Sequence, residues 1–391
     1  MSSKKQAVNK IKSLCYLTLG GSVAYQCIYF KKDFNGYYDK VLQPASQFID
    51  PEWAHKIGVS ALKYGLFPRE SYEDPNILRT KFLQYELSNP IGIAAGFDKH
   101  GDAVLPLRTI GFSVVEIGSV TPEAQPGNPK PRVFRLPEDK AVINRYGFNS
   151  EGHDEVLKKL NSLDKTLLEK GLLGINLGKN KLSDNATEDY VQGIKKFSNV
   201  ADYFVINISS PNTPGLRSLQ NKEELKELLT GVNKVRQSIS GNKPPLLLKL
   251  APDLSTEEMK DIVSVITRKE SAVDGLIISN TTIDRSSLLN KEFSNETGGL
   301  SGKPLSNKST EMIKNMYKLT KGKIPIIGVG GIFNGQDAFE KILAGASIVQ
   351  IYTALIYHGP PVVTKIKTEL ADLLEKNGYK NVNEAVGKGV Q

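Results

Sequence analysis

Eight short apolar runs, each ending in polar or glycine residues and followed by a stretch with helical spacing, constrain this chain more than any other feature. They lie at 91–96, 112–119, 172–178, 203–210, 246–251, 276–281, 324–331 and 348–354. Ile- and Val-rich runs without alternation are strands buried on both faces, and their regular exchange with helices indicates a parallel sheet. Eight such units predict an α/β chain closed into a (β/α)8 barrel, the TIM-barrel architecture, within 69–391. A doubly wound open sheet is the alternative arrangement of the same elements.

A barrel carries its reactive groups just past the C-terminal ends of its strands. Here those ends read Ala94-Ala95-Gly96-Phe97-Asp98-Lys99, Ile117-Gly118-Ser119-Val120-Thr121 and Asn176-Leu177-Gly178-Lys179-Asn180. Next come Asn207-Ile208-Ser209-Ser210-Pro211-Asn212-Thr213, Lys249-Leu250-Ala251-Pro252 and Ser279-Asn280-Thr281-Thr282. Asparagine and lysine at the ends of apolar strands are costly unless they bind something polar. A single one is often a satisfied core group; several on one rim point to a planar, oxygen-rich, anionic ligand. The last two ends are Gly328-Val329-Gly330-Gly331 and Tyr352-Thr353-Ala354. The glycine run lacks the third glycine of a dinucleotide fingerprint, because Phe333 stands there. With Tyr352-Thr353 it matches the barrel phosphate site, where backbone N–H groups and a helix N-terminus hold an anion.

Residues 121–152 are too many for a plain connection. They carry Pro122, Pro126, Pro129, Pro131 and Pro137, the apolar pairs Val133-Phe134 and Val142-Ile143, and then Asn144-Arg145-Tyr146-Gly147-Phe148-Asn149. The segment reads as a small antiparallel insertion that drops a polar loop over the barrel mouth, or as an insertion with no ligand contact.

Charge and cysteine content bound the rest. The net charge of +9 is concentrated at the start, where Lys4, Lys5, Lys10, Lys12, Lys31 and Lys32 stand among the first 32 residues with no acid. The remainder shows no interleaving of basic and aromatic residues, so nucleic-acid binding is not expected. The uncharged run 13–30 is long enough to span a bilayer, although Gly20, Gly21, Ser22 and Gln26 dilute it. Flanked by lysines and without a small-residue cleavage site, residues 1–32 read as a basic leader with a single transmembrane anchor; a cleaved secretory signal is the alternative. Residues 33–68 read as an amphipathic helical hairpin broken near Asp50-Pro51, either a cap on the barrel or a surface element that admits a lipophilic partner. The only cysteines, Cys15 and Cys27, lie within residues 1–32. That excludes a disulfide framework, a thiolate metal site and a cysteine nucleophile from the body of the chain. His55, His100, His153 and His358 fit no metal-ligand spacing, so no metal is expected and redox chemistry here needs an organic cofactor.

Several motifs resemble one family. Ala95-Gly96-Phe97-Asp98-Lys99-His100-Gly101, Glu116-Ile117-Gly118-Ser119-Val120-Thr121-Pro122 and Gly127-Asn128-Pro129-Lys130-Pro131-Arg132 look like dihydroorotate dehydrogenase. So do Asn144 to Asn149, Asn207 to Thr213 and Gly299-Leu300-Ser301-Gly302, and the match runs from about residue 55 to about 373. The resemblance implies that Ser210 is the base that removes the C5 proton of L-dihydroorotate while the C6 hydride passes to FMN. It implies orotate-binding positions at Lys99, Asn144, Arg145, Tyr146, Gly147, Phe148, Asn207, Asn212, Asn280 and Thr281. FMN contacts are implied at Ala95, Gly96, Ser119, Asn176, Lys249, Ser279, Gly302, Gly331, Tyr352 and Thr353, with Lys99 and Asn207 shared. The residue types suit that chemistry, since amides donate and accept to the imide of orotate and Lys99 neutralises its carboxylate. A serine is a poor base at its ordinary pKa and needs a proton relay, for which Thr213 and water are candidates.

Class 1 relatives use a cysteine base, which this barrel lacks, and class 2 members carry an N-terminal helical extension. The resemblance therefore implies class 2, with ubiquinone as acceptor and His55 and Arg135 lining the quinone tunnel. It also implies a monomer in contact with lipid of the mitochondrial inner membrane, its barrel on the intermembrane-space side. Ala45, Ser46, Gly58 and Ala61 make the hairpin smaller and more polar than the family pattern. Whether residues 298–303 close as a lid is left open by the sequence.

Overall fold

The computed structural model describes residues 2–168, 170–241 and 243–390. The chain divides into two compact units, Met1–Asp50 and Pro51–Gln391.

In the second unit eight parallel strands close a barrel: β1 (Ile91–Ile93), β2 (Val114–Val120), β3 (Leu172–Leu177), β4 (Tyr203–Asn207), β5 (Leu246–Leu250), β6 (Gly275–Ile278), β7 (Ile326–Val329) and β8 (Ala346–Ile351). Each pairs with its neighbour in sequence, and β8 closes on β1 through Val349↔Ile91. Every run read from the sequence overlaps one strand, and most runs extend past its end into the loop that follows. At β4 the reason is visible: the Asn207 side chain accepts from Ser209 N at 3.3 Å, so a side-chain turn replaces the ladder. The outer helices bury one stripe each. Ala186–Phe197 turns Tyr190, Val191, Ile194 and Phe197 inward, at the spacing of a single helical face. Thr256–Ile266 starts at a capping box between Ser255 and Glu258, which satisfies two otherwise orphaned backbone donors.

A hairpin that no sequence pattern announced, Thr80–Phe82 with Tyr85–Leu87, precedes the barrel. It packs Phe82 and Leu87 with Val114, Leu172, Tyr203, Val205, Leu247, Ile277, Ile327 and Ile348 in one apolar cluster. Most of these residues stand at or near strand starts, so the cluster fills the N-terminal end of the barrel.

The insertion is antiparallel, as the two apolar pairs suggested, but it has a third strand. Val133–Leu136 pairs with Ala141–Asn144, and Ala141–Asn144 pairs with Gly299–Gly302. The segment 298–303 therefore holds a strand stitched into this sheet, with Leu300 buried beside Leu136, Ala141, Ile143 and Leu288.

In the first unit a helix runs Ser2–Lys32. Asp33 caps the next turn by accepting from Gly36 N at 2.8 Å, and further turns follow to Ser46. Phe30 meets Phe34 and Tyr37 edge to face at 5.2 and 5.5 Å. The expected membrane span is not met: among the described residues no helix is long and apolar enough to cross a membrane. Absence of charge is not hydrophobicity, and Thr18, Gly20, Gly21, Ser22 and Gln26 keep the run too polar. The second helix of the expected hairpin forms at Pro51–Lys63 and belongs to the barrel unit.

Candidate active site

The rim asparagines form one continuous hydrogen-bonded chain. Asn207, from the end of β4, donates to Ser119 Oγ at 2.9 Å and to Asn176 Oδ1 at 3.2 Å. Ser119 Oγ also donates to Asn176 Oδ1. Asn207 Oδ1 in turn accepts from Ser209 Oγ at 3.0 Å and from Asn280 Nδ2 at 3.3 Å. Asn280 closes the chain by accepting from Thr281 N at 2.8 Å. The ends of β2, β3, β4 and β6 are thus held by side chains that partly satisfy one another, which offsets the cost of burying them.

Ser210 is buried, 7% exposed, in the loop after β4. Its Oγ accepts from Asn212 N at 3.2 Å. Asn212 reaches across to Asn144 O at 3.1 Å, and Asn128 donates to Asn212 O at 3.1 Å and to Arg145 O at 3.0 Å. The Ser210 loop is therefore sewn to the insertion. Nearby in the loop, the Thr213 hydroxyl is buried and has no hydrogen-bond partner among the described residues. Arg217, not singled out from the sequence, holds the loop from behind. It donates to Ser209 O at 3.1 Å and to Thr281 O at 2.9 Å, and pairs with Asp253 at 3.0 Å. Only pairing across the fold gives Arg217 this position; no local pattern announces it.

Lys99 donates to Gly96 O at 3.0 Å and lies 3.6 Å above the centre of the Tyr146 ring. Loss of water around the ammonium, and then the Arg132 charge, push it down to about 7. Tyr146 also faces His55, whose Nδ1 is 3.4 Å from the phenol oxygen and whose Nε2 is 2.7 Å from Phe97 O. Burial, and then the Lys99 charge, push His55 down to about 3, so it is neutral at physiological pH. His55 is carried on Pro51–Lys63, and the buried pair Glu52–Arg132 locks that helix to the insertion through two hydrogen bonds of 2.9 and 3.0 Å.

The remaining candidates divide. The Arg145 guanidinium is spent on Glu296, Thr297 O and Pro131 O, so only its backbone is tied to the Ser210 loop. Arg135 lies on Val133–Leu136 opposite Val142, and its charge acts on the Tyr357 phenol. Gly147 takes φ +69°, and a Cβ there would meet Asn128 Nδ2 at 2.6 Å, so only glycine lets the insertion loop pass. Phe148 also takes a positive φ, 54°, and its ring lies against Gly178.

One cavity gathers most of the implied cofactor positions. Ala95, Lys249, Ser279, Gly302, Gly331, Tyr352 and Thr353 line it, with Asn280, Thr281 and Gln350. At Gly96 an added Cβ would meet only Tyr352, at 3.8 Å, so the backbone there fronts open space. Gln350 Oε1 is buried without a hydrogen-bond partner among the described residues. Open backbone at β1, glycines with φ +118° and +74° at Gly330 and Gly331, and an unused acceptor suit a planar group bearing a phosphate. The helix after the glycines does not supply the anion site. Its Gly335 N–H donates to Glu369 at 2.7 Å and its Asp337 N–H to Asn334 at 2.8 Å, so these first N–H groups are taken. That leaves Gly330-Gly331 and Tyr352-Thr353.

Fold and rim together define a (β/α)8-barrel enzyme with a polar site at the C-terminal strand ends. The chain belongs to the dihydroorotate dehydrogenase family, whose sequence model matches residues 77–374. It falls among the class 2, quinone-type members. The mouse mitochondrial dihydroorotate dehydrogenase (quinone) is 52% identical over 374 residues, 94% of each chain. The dihydroorotate dehydrogenase (quinone) of Parvibaculum lavamentivorans is 48% identical over 89% of this chain and 97% of its own. The fold is likewise similar to the crystal structure of the Eimeria tenella enzyme in complex with ferulenol, with a TM-score of 0.84 and 42% identity, covering 87% of this chain and 96% of that one.

Proposed function

We propose that the protein oxidises L-dihydroorotate to orotate with FMN as its resident redox group and passes the electrons to ubiquinone, in de novo synthesis of UMP. The observation that carries this reading is the asparagine chain that reaches, through Asn280, a cavity also lined by Gly330-Gly331 and Tyr352-Thr353, with Ser210 in the loop that follows Asn207.

FMN, when bound, supplies the acceptor for the hydride that leaves C6 of the substrate. Everything else falls to the chain. Asn207, Asn212 and Asn280 offer amides to the imide edge of the pyrimidine, and Lys99 faces its carboxylate. Ser210 Oγ takes the C5 proton. The Asn212 N–H that points at this oxygen stabilises its anionic character and so eases deprotonation. Thr213, buried with its hydroxyl unspent, is the group in the same loop to carry the proton onward. Lys249 lines the cavity and brings positive charge to it.

The acceptor enters from the side of Pro51–Lys63. His55 on this helix packs against Phe97 at 5.5 Å and Tyr352 at 6.2 Å between ring centres, and Tyr352 lines the cavity. Trp53 and Ile57 of the same helix are exposed. An apolar outer face backed by a ring contact to the cavity suits a lipophilic quinone drawn from a membrane surface. The relatives named mitochondrial and the basic, acid-free leader support a place at the inner mitochondrial membrane, with the barrel on the intermembrane-space side.

Anaerobic mixing with L-dihydroorotate, then with a short-chain ubiquinone or with fumarate, tests the reading through the flavin absorbance. Bleaching by dihydroorotate and fast recovery with quinone alone is expected. Recovery with fumarate would move the acceptor assignment, and no bleaching would overturn the substrate.

A further inference from the structure

Glu116 takes no part in the proposed reaction, yet the interior of the barrel is arranged around it. It sits on β2, wholly buried. Four donors face it. Asn176 Nδ2 and Lys249 Nζ lie 2.9 and 3.4 Å from Oε1, and Gln350 Nε2 and the Tyr203 hydroxyl lie 2.8 and 3.3 Å from Oε2. They come from β3, β5, β8 and β4. Burial, and then the Glu116 charge, push the Tyr203 phenol well above its ordinary range, so it remains a donor.

An ionised carboxylate only accepts. Any amide beside it must turn its NH2 toward the carboxylate and its carbonyl away. Asn176 therefore presents Oδ1 outward, where it receives Ser119 and Asn207. With its NH2 spent there, Asn207 presents Oδ1 to Ser209 and Asn280. Gln350 follows the same rule: its NH2 is on Glu116, and its Oε1 is left buried with no partner among the described residues. Lys249 and Gln350 both line the cavity.

We propose that Glu116 is a positioning residue whose buried charge fixes the polarity of the rim amides and, through Lys249 and its own field, sets the potential of the redox group in the cavity. This rests on the reading of the cavity as a flavin site. A negative charge near a flavin opposes added electrons, so its removal raises the potential. Glu116 does not itself line the cavity; it acts through Asn176, Gln350 and Lys249.

The test uses the full chain with FMN bound and reads two quantities, the flavin midpoint potential and the dissociation constant of orotate from its flavin difference spectrum. Glu116→Gln keeps the shape and removes the charge. Its potential is expected to rise, and orotate is expected to bind about tenfold more weakly as part of the amide chain loses its orientation. Glu116→Asp keeps the charge and withdraws it by one methylene. Its potential is expected to stay near that of the wild type, with the same roughly tenfold loss of orotate binding. An unchanged potential in Glu116→Gln overturns the electrostatic half. Wild-type orotate binding in Glu116→Asp overturns the positioning half, and that variant alone decides if Glu116→Gln is not recovered folded. A wild-type protein that takes up no flavin refutes the cofactor reading instead.

Discussion

At the N-terminal end of the barrel, Phe82 and Leu87 of the hairpin meet Val114, Leu172, Val205, Leu247, Ile277, Ile327 and Ile348, all buried. At the C-terminal end of the same strands stand the buried Asn176, Asn207 and Ser209 and the half-buried Ser119 and Asn280, hydrogen-bonded to one another. The first end is closed by side chains that want only one another. The second is held open by side chains whose remaining valences need a ligand. Between them lies the layer of Glu116, Tyr203, Lys249 and Gln350, where the apolar floor gives way to the polar rim. A barrel of this kind separates stability from chemistry along its own axis, and each end can be damaged separately.

The largest effect belongs at the rim. Ser210→Ala removes the proposed proton acceptor and is expected to lower turnover by roughly 10²–10⁴-fold, the usual worth of general base catalysis. The variant should stay yellow and melt as the wild type does, because Ser210 Oγ contributes one hydrogen bond, from Asn212 N. Near-normal turnover would break the assignment. At the floor the pattern inverts. Phe82→Ala empties a fully buried aromatic site and should cost roughly 3–5 kcal/mol of stability. The fraction that remains folded should keep its turnover per bound flavin. If Phe82→Ala slowed the folded enzyme as Ser210→Ala does, the two ends would not be separate at all.

The barrel and its rim could be read from the chain because both follow local rules. A buried parallel strand is a continuous apolar run, and its polar tail names the loop that follows. Thus 203–210 announced both β4 and Ser210. What escaped depends on partners far away in sequence. Gly299–Gly302 becomes a strand only because Ala141–Asn144 lies beside it. Arg217 matters because Thr281 O and Asp253 come within reach. Glu116 read as one residue of a strand motif, since nothing local shows that four other strands aim donors at it. The N-terminal run differs for another reason: length and lack of charge permit a span, but glycine, serine and threonine leave no described helix apolar enough to cross a membrane.

The smallest effect sharpens the contrast within the rim, and it is a matter of pH. Lys99 in the ligand-free protein is held down to about 7. Below that value the ammonium is present to meet an anionic pyrimidine; above it the free protein has lost the proton and must regain one to bind. The dissociation constant of orotate should therefore rise as pH passes upward through 7, by at most tenfold per pH unit. Stability of the ligand-free protein should move the other way. The unfolded chain holds the Lys99 proton up to the ordinary lysine range near 10.4, so between about 7 and that range it binds more protons than the folded state. The penalty for burying the ammonium is full below about 7 and is relieved as pH climbs through that window. Orotate titrations between pH 6 and 9, beside melting curves of wild type and Lys99→Gln, read both trends. A flat dissociation constant in the wild type would show that the Lys99 charge is not what the ligand meets, and would leave carboxylate recognition to the rim amides.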